Sequence, residues 1–188
     1  NFDAAHLRIA LASGIPIVSN QICHSLIDQR ANGNMAAVCR EYNVKLLTFG
    51  TLAGGFLTDK WLGKNEPTAE ELTTWSQMKY KRFIDAAGGW TPYQNLLQTV
   101  KKIADKHDAS IANIASRFIL ANEAVASVIV GARLGESEHI DDNRRMLDIQ
   151  LDTEDINAIK LAQLQLKMIP GDCGDEYRKP PFLKLLPL

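Results

Sequence analysis

The side chains reactive enough for catalysis or metal binding are few in this sequence, and their spacing joins none of them into a site. His6, His24 and His107 stand at no metal-ligand spacing and beside no nucleophile, so they read as structural histidines. Cys23, Cys39 and Cys173 are odd in number and outside any C-x-x-C, which points to a reducing intracellular compartment rather than a disulfide framework. The glycines of Gly50-Thr51-Leu52-Ala53-Gly54-Gly55 invite comparison with a dinucleotide fingerprint, but they lack the G-x-G-x-x-G spacing. Taken singly, Gln21 reads as a polar residue ending a strand, Phe49 as core, Gly54-Gly55 as a turn and Arg133 as a solvated charge.

Composition narrows the partners. The chain has 188 residues, 46% of them hydrophobic, enough for one sizeable core. Its 21 basic and 22 acidic side chains are dispersed and sum to −1, so nucleic acid, which rewards a basic surface by counterion release, is not an expected partner. No apolar run approaches the roughly 20 residues of a membrane helix, and the first six residues have no signal-peptide character. A cytoplasmic, soluble protein is expected. The chain begins at Asn1 without methionine and runs almost at once into a helix, so further sequence upstream is also expected.

The elements that would position these residues alternate between strand and helix. Residues 3–13 carry Ala4, Leu7 and Leu11 at helical spacing with Gly14 as cap, and residues 15–20 read as a short buried strand. A helix over 34–42 precedes a strand over 44–49, and the two strands start 29 residues apart, the period of a βαβ unit. After a Gly-rich loop, Thr68 with Glu71 predicts a capping box for a helix carrying Leu72, Trp75, Met78 and Phe83, and Thr91-Pro92 predicts a second start. That second helix should end near His107, and Ser110 should cap the next. Residues 126–131 are apolar throughout, as in a strand covered on both faces. Helices over 136–147 and 153–168, the latter capped by Thr153, lead to a Pro- and Gly-rich tail over 169–188 expected to be irregular.

This alternation is α/β. It leaves an open doubly wound sheet or part of a (β/α)8 barrel, and the missing fingerprint argues against the former. Three strands cannot close a barrel, which takes eight. Their unpaired edges and apolar faces imply that a missing half, or a second copy, completes the sheet.

At this point the motifs resemble one family, the aldo-keto reductases. Val18-Ser19-Asn20-Gln21 with Ser25-Leu26-Ile27-Asp28 is similar to the family's sixth barrel strand, and Leu47-Thr48-Phe49-Gly50 running on to Thr58 is similar to the seventh strand and its cofactor loop. Val128-Ile129-Val130-Gly131-Ala132-Arg133, followed by His139-Ile140-Asp141-Asp142-Asn143, is similar to the eighth strand and the helix at the adenosine end of NADP(H). Asn1-Phe2 resembles the pair leaving the fifth strand, so the resemblance runs over about residues 1–165 in family order.

The resemblance implies the C-terminal part of a TIM barrel over residues 1–168 and an NADP(H) site. Asn1 and Gln21 would hydrogen-bond the nicotinamide carboxamide, since each amide offers a donor and an acceptor. Phe49 would stack on the nicotinamide; Gly50, Thr51, Leu52 and Gly54 would form the loop passing over the pyrophosphate. Gly131 leads to Arg133, whose guanidinium fork would hold the 2′-phosphate, and His139, Asp142 and Asn143 would stand near the adenosine end. The implied reaction reduces a small carbonyl substrate, but the family's Asp, Tyr, Lys and His all precede the position matching Asn1. Tyr42, Tyr80, Tyr93 and Tyr177 match none of them. No catalytic residue is therefore expected here. A non-catalytic half-barrel that binds nucleotide or a partner is the alternative.

Overall fold

Several helices of this protein begin where a side chain satisfies a free backbone N–H group. The computed structural model describes residues 1–131, 135 and 139–178. In chain order the elements are α1 (Ala4–Ala12), β1 (Ser19–Cys23), α2 (Asn34–Tyr42), β2 (Lys45–Phe49), α3 (Trp75–Ala86), α4 (Trp90–Lys106), α5 (Ile111–Leu120), β3 (Val125–Ile129), α6 (Ile140–Arg145), α7 (Thr153–Gln163) and α8 (Asp175–Arg178). Asp3 caps α1 by accepting from the His6 N–H at 2.8 Å. Ser110 with Asn113, and Asp152 with Asp155, form reciprocal capping boxes on α5 and α7.

Several expected boundaries move, each for a local reason. The Thr68–Glu71 pair does form, with the Glu71 carboxylate accepting from the Thr68 N–H at 2.8 Å, but it closes an isolated turn, and α3 starts at Trp75 under a Thr74 cap. Helix α4 starts one residue before the Thr91 signal, with Pro92 in the first turn, where an N–H has no helical partner to lose. Asp152 rather than Thr153 caps α7, which ends at Gln163. Of the helix expected over 136–147, the described residues form Ile140–Arg145. Within the tail, Asp175–Arg178 makes one helical turn.

The first strand is the largest shift. The apolar run at residues 15–18 leaves Val18 77% exposed, and the strand is the more polar Ser19–Cys23. Asn20 tolerates burial there because its Nδ2 donates to the Phe2 carbonyl at 3.0 Å, which also holds residues 1–2 beside β1.

The three strands form one parallel sheet in the order β1-β2-β3, with Gln21 opposite Leu47 and Cys23 opposite Phe49. A register shift between Leu46 and Leu47 leaves Ala126 as an extra residue in β3. Asn20, Ile22, Leu46 and Thr48 are buried on one face, joined in the core by Leu7, Met35, Leu96, Val100 and Ile111. On the opposite face Gln21, Lys45 and Ser127 are exposed, Leu47 and Phe49 are half-buried, Ile129 is 42% exposed, and Cys23, at the end of β1, is buried beside Tyr80 of α3. Within this chain the expectation that the third strand is covered on both faces is not met, since Ala126, Ser127 and Ile129 are exposed. β3 is an edge strand of a sheet with one open face, and its apolar sequence alone looks the same in either setting.

Candidate functional site

Loops leaving the C-terminal ends of β2 and β3 enclose a groove of about 270 Å³, lined by Gly50, Thr51, Leu52, Gly54, Tyr80 and Gly131 among others. The loop after Phe49 turns tightly on itself. Ala53 N–H donates to the Gly50 carbonyl at 2.9 Å, and the Gly55 and Leu57 N–H groups both donate to the Leu52 carbonyl at 3.0 Å. Gly50 and Gly54 have φ of 70° and 65°, where a side chain is strained. They are also pressed against α3: a Cβ on Gly50 would stand 2.1 Å from the Tyr80 hydroxyl, and one on Gly54 would stand 2.9 Å from the Ser76 carbonyl. Glycine is thus required here by the packing of α3 under the loop. Gly55 and Gly131 face open space.

Gln21 and Phe49 lie on the same, open face of the sheet, Gln21 exposed and Phe49 half-buried, and the loop with Gly50, Thr51, Leu52 and Gly54 continues directly from Phe49. Thr51 is buried, while Leu52 packs on the core edge. Asn1 is exposed, and its carbonyl accepts from Arg178 Nη1 at 2.6 Å. Gly131 and His139 are exposed; the His139 carbonyl accepts from the Asn143 N–H at 2.7 Å. The Asp142 carbonyl accepts from Asn113 Nδ2 at 2.7 Å, which ties α6 to the start of α5. Arg133 lies outside the described residues.

The residues set aside as structural have structural bonds. His24 is buried with Nδ1 2.9 Å from the Asp28 carbonyl, and burial holds its pKa below the ordinary value. Cys23 lies 3.8 Å from the Tyr80 hydroxyl. Burial pushes both groups far above their usual pKa, so at neutral pH the thiol is no nucleophile and the phenol no ready acid. Trp61 and Trp90 pack with Phe56 and Tyr93, and Trp75 is 71% exposed.

Sequence reasoning missed a charged cluster beside the groove. Arg30 is buried, donates to both carboxylate oxygens of Asp28 at 2.8 and 2.7 Å, and lies 2.9 Å from Glu176 of α8. Lys79 of α3 places its ammonium 5.3 Å from the Phe49 ring centroid and donates to the Tyr177 hydroxyl. No spacing rule links residues 28, 30, 79 and 176; only the folded chain joins them. Among the described residues, no group of His, Cys, Asp and Glu could hold a metal ion, and no helix is long and apolar enough to cross a membrane.

Comparison with known proteins adds the family. The model of the Aldo/keto reductase family matches residues 1–163. The chain is similar to flagellar radial spoke protein 5 of Chlamydomonas reinhardtii, 31% identical over 120 residues, covering 63% of this chain and 23% of that protein. It is also similar to the protein tas of Escherichia coli, 29% identical over 167 residues, covering 88% of this chain and 45% of the relative. Among solved structures, a glycerol dehydrogenase from Gluconobacter oxydans superposes with a TM-score of 0.67 at 19% identity, over 92% of this chain and 50% of that one. The chain therefore spans less than half the length of these two curated relatives.

Proposed function

This chain belongs to the aldo/keto reductase family, and from that premise we propose that it holds NADP(H) at the C-terminal ends of its strands, for the reduction of small aldehydes or ketones. The observation that carries the reading is the shared open face of Gln21 and Phe49, which leads without a break into the groove bounded by Gly50, Gly54 and Gly131. In barrels of parallel strands, ligands sit at that end.

The donor set suits a nicotinamide dinucleotide. An exposed amide and a half-exposed aromatic face stand together on the sheet, and a loop with little side-chain bulk lies next to them. When bound, the cofactor would supply the hydride. Gln21, with Asn1, would orient the carboxamide; Phe49 would cover one face of the ring and keep water from it; Gly50, Thr51, Leu52 and Gly54 would line the path of the pyrophosphate. Arg133 would hold the 2′-phosphate, with His139, Asp142 and Asn143 toward the adenine. No proton donor is assigned within this chain. In this reading the open sheet face is the inner wall of a barrel, and further strands of the same barrel cover it.

A second reading, a non-catalytic nucleotide- or partner-binding protein, is favoured by one relative, whose name places it in a flagellar radial spoke. Calorimetric titration of the chain with NADPH and NADH tests the cofactor assignment common to the enzyme reading and the nucleotide-binding form of the second. NADPH should bind at least about tenfold more tightly, the order expected for one charge-assisted phosphate contact, and Arg133→Met should remove most of that preference. Equal affinities, or no binding, would overturn the assignment. Adding an aldehyde to the bound complex of a protein that also carries the remaining barrel strands separates the readings, since carbonyl-dependent loss of NADPH absorbance belongs to the enzyme alone.

A further inference from the structure

Lys79 departs from the ordinary habit of a helix lysine, whose ammonium points into water. Its side chain is only 21% exposed. The ammonium instead lies among four aromatic rings, with centroids at 4.3 Å (Tyr177), 5.0 Å (Tyr80), 5.3 Å (Phe49) and 5.6 Å (Phe83). It donates to the Tyr177 hydroxyl. Glu176 Oε1 lies 3.9 Å from the ammonium, and the other oxygen of that carboxylate is 2.9 Å from Arg30 Nη2. Glu176 is thus shared between two cations, Arg30 is shared with Asp28, and Lys79 keeps its charge turned toward the rings.

Among these rings, Phe49 stands on the open sheet face beside Gln21, where the reading above puts the nicotinamide. The electron-rich ring therefore already has a cation against it. A second cation brought to the same ring would meet repulsion from Lys79 and would gain less from the ring, while a neutral ring would be spared both. The two oxidation states of a nicotinamide differ in this respect: the oxidised ring carries a positive charge and the reduced ring carries none.

We infer that Lys79 determines cofactor oxidation-state preference, making the site favour the reduced, uncharged nicotinamide over the oxidised, cationic one. The inference rests on the NADP(H) reading and adds to it a residue and a direction. Like charges within several ångströms in a partly water-excluded site repel enough for a preference on the order of tenfold.

The test is a fluorescence titration of the whole chain with NADPH, and a competition titration with NADP+, for the unaltered protein, Lys79→Met and Lys79→Arg. Tighter binding of NADPH is expected in the unaltered protein. Lys79→Met should bring the two affinities together, mainly by tightening NADP+, and Lys79→Arg should keep the preference. A purely structural lysine would change both affinities alike and leave their ratio alone. Both nucleotides binding at an unchanged ratio in Lys79→Met overturns the inference and leaves the NADP(H) reading in place. An unaltered protein that binds NADP+ as tightly as NADPH overturns it without any variant, and one that binds neither overturns both.

Discussion

Asp155 shows how much one side chain can be asked to do in this fold. Buried at the start of α7, it accepts from Lys106 Nζ at 2.8 Å, lies 2.7 Å from His107 Nε2, and joins the capping box with Asp152. Burial alone would raise its pKa, but the bonds from Lys106 and His107 outweigh that and hold it below the usual carboxylate value. The Lys106 hydrogen bond also draws its neighbour Asp152 down to about 2. A depressed folded-state pKa means stability that is fully present above the unfolded value near 3.8 and is lost as pH falls through the folded value. The melting temperature should therefore fall between pH 5 and pH 2. Asp155→Asn should melt lower at neutral pH and lose less across that window, and a parallel decline in both proteins would show that this cluster is not responsible. None of these pairings was legible in the sequence beyond the acidic start of α7, because Lys106 and Asp155 meet only when α4 and α7 pack.

The elements were legible where a cap or a helical period marks them, and less so where burial decides. Ser110 at the head of α5 and the apolar face of α4 could be read directly, since capping and periodicity are local. β1 was legible as a strand but not in its bounds, because the apolar run over 15–18 draws the expected strand to 15–20, whereas Asn20 tolerates burial within Ser19–Cys23 only with the Phe2 carbonyl to satisfy it. β3 misled in the opposite sense: its apolar residues suggest two covered faces, and Ile129 is 42% exposed. That asymmetry has a measurable consequence. Leu46→Ala, on the covered face, should cost about 2–5 kcal/mol in denaturant unfolding. Ile129→Thr, on the open face, should stay within about 0.5 kcal/mol. Comparable losses at both positions would mean that something covers the open face of this chain.

For the whole molecule, the α/β fold follows from parallel strands joined by helices and the family from the match over residues 1–163, while the candidate site is a matter of which residues the loops at the strand ends bring together. The amide, the aromatic ring and the glycine loop were legible because they follow strand ends in family order; Lys79 was not, because a lysine within a helix carries no sign of the rings it will meet. The chain also has a larger groove, of about 690 Å³, lined by Gln29, Phe118, Asn122, Ile156, Lys160 and Leu164 of its outer helices and loops. Volume alone would favour it for a ligand, whereas the chemistry of Gln21, Phe49 and the glycine loop favours the smaller groove. Backbone amide chemical shifts followed during NADPH titration decide between them. The account predicts shifts at Gln21, from Phe49 to Gly55 and at Gly131, with residues 156–164 unmoved. Shifts confined to Phe118, Asn122 and residues 156–164, or none at the strand ends on saturation, would contradict it.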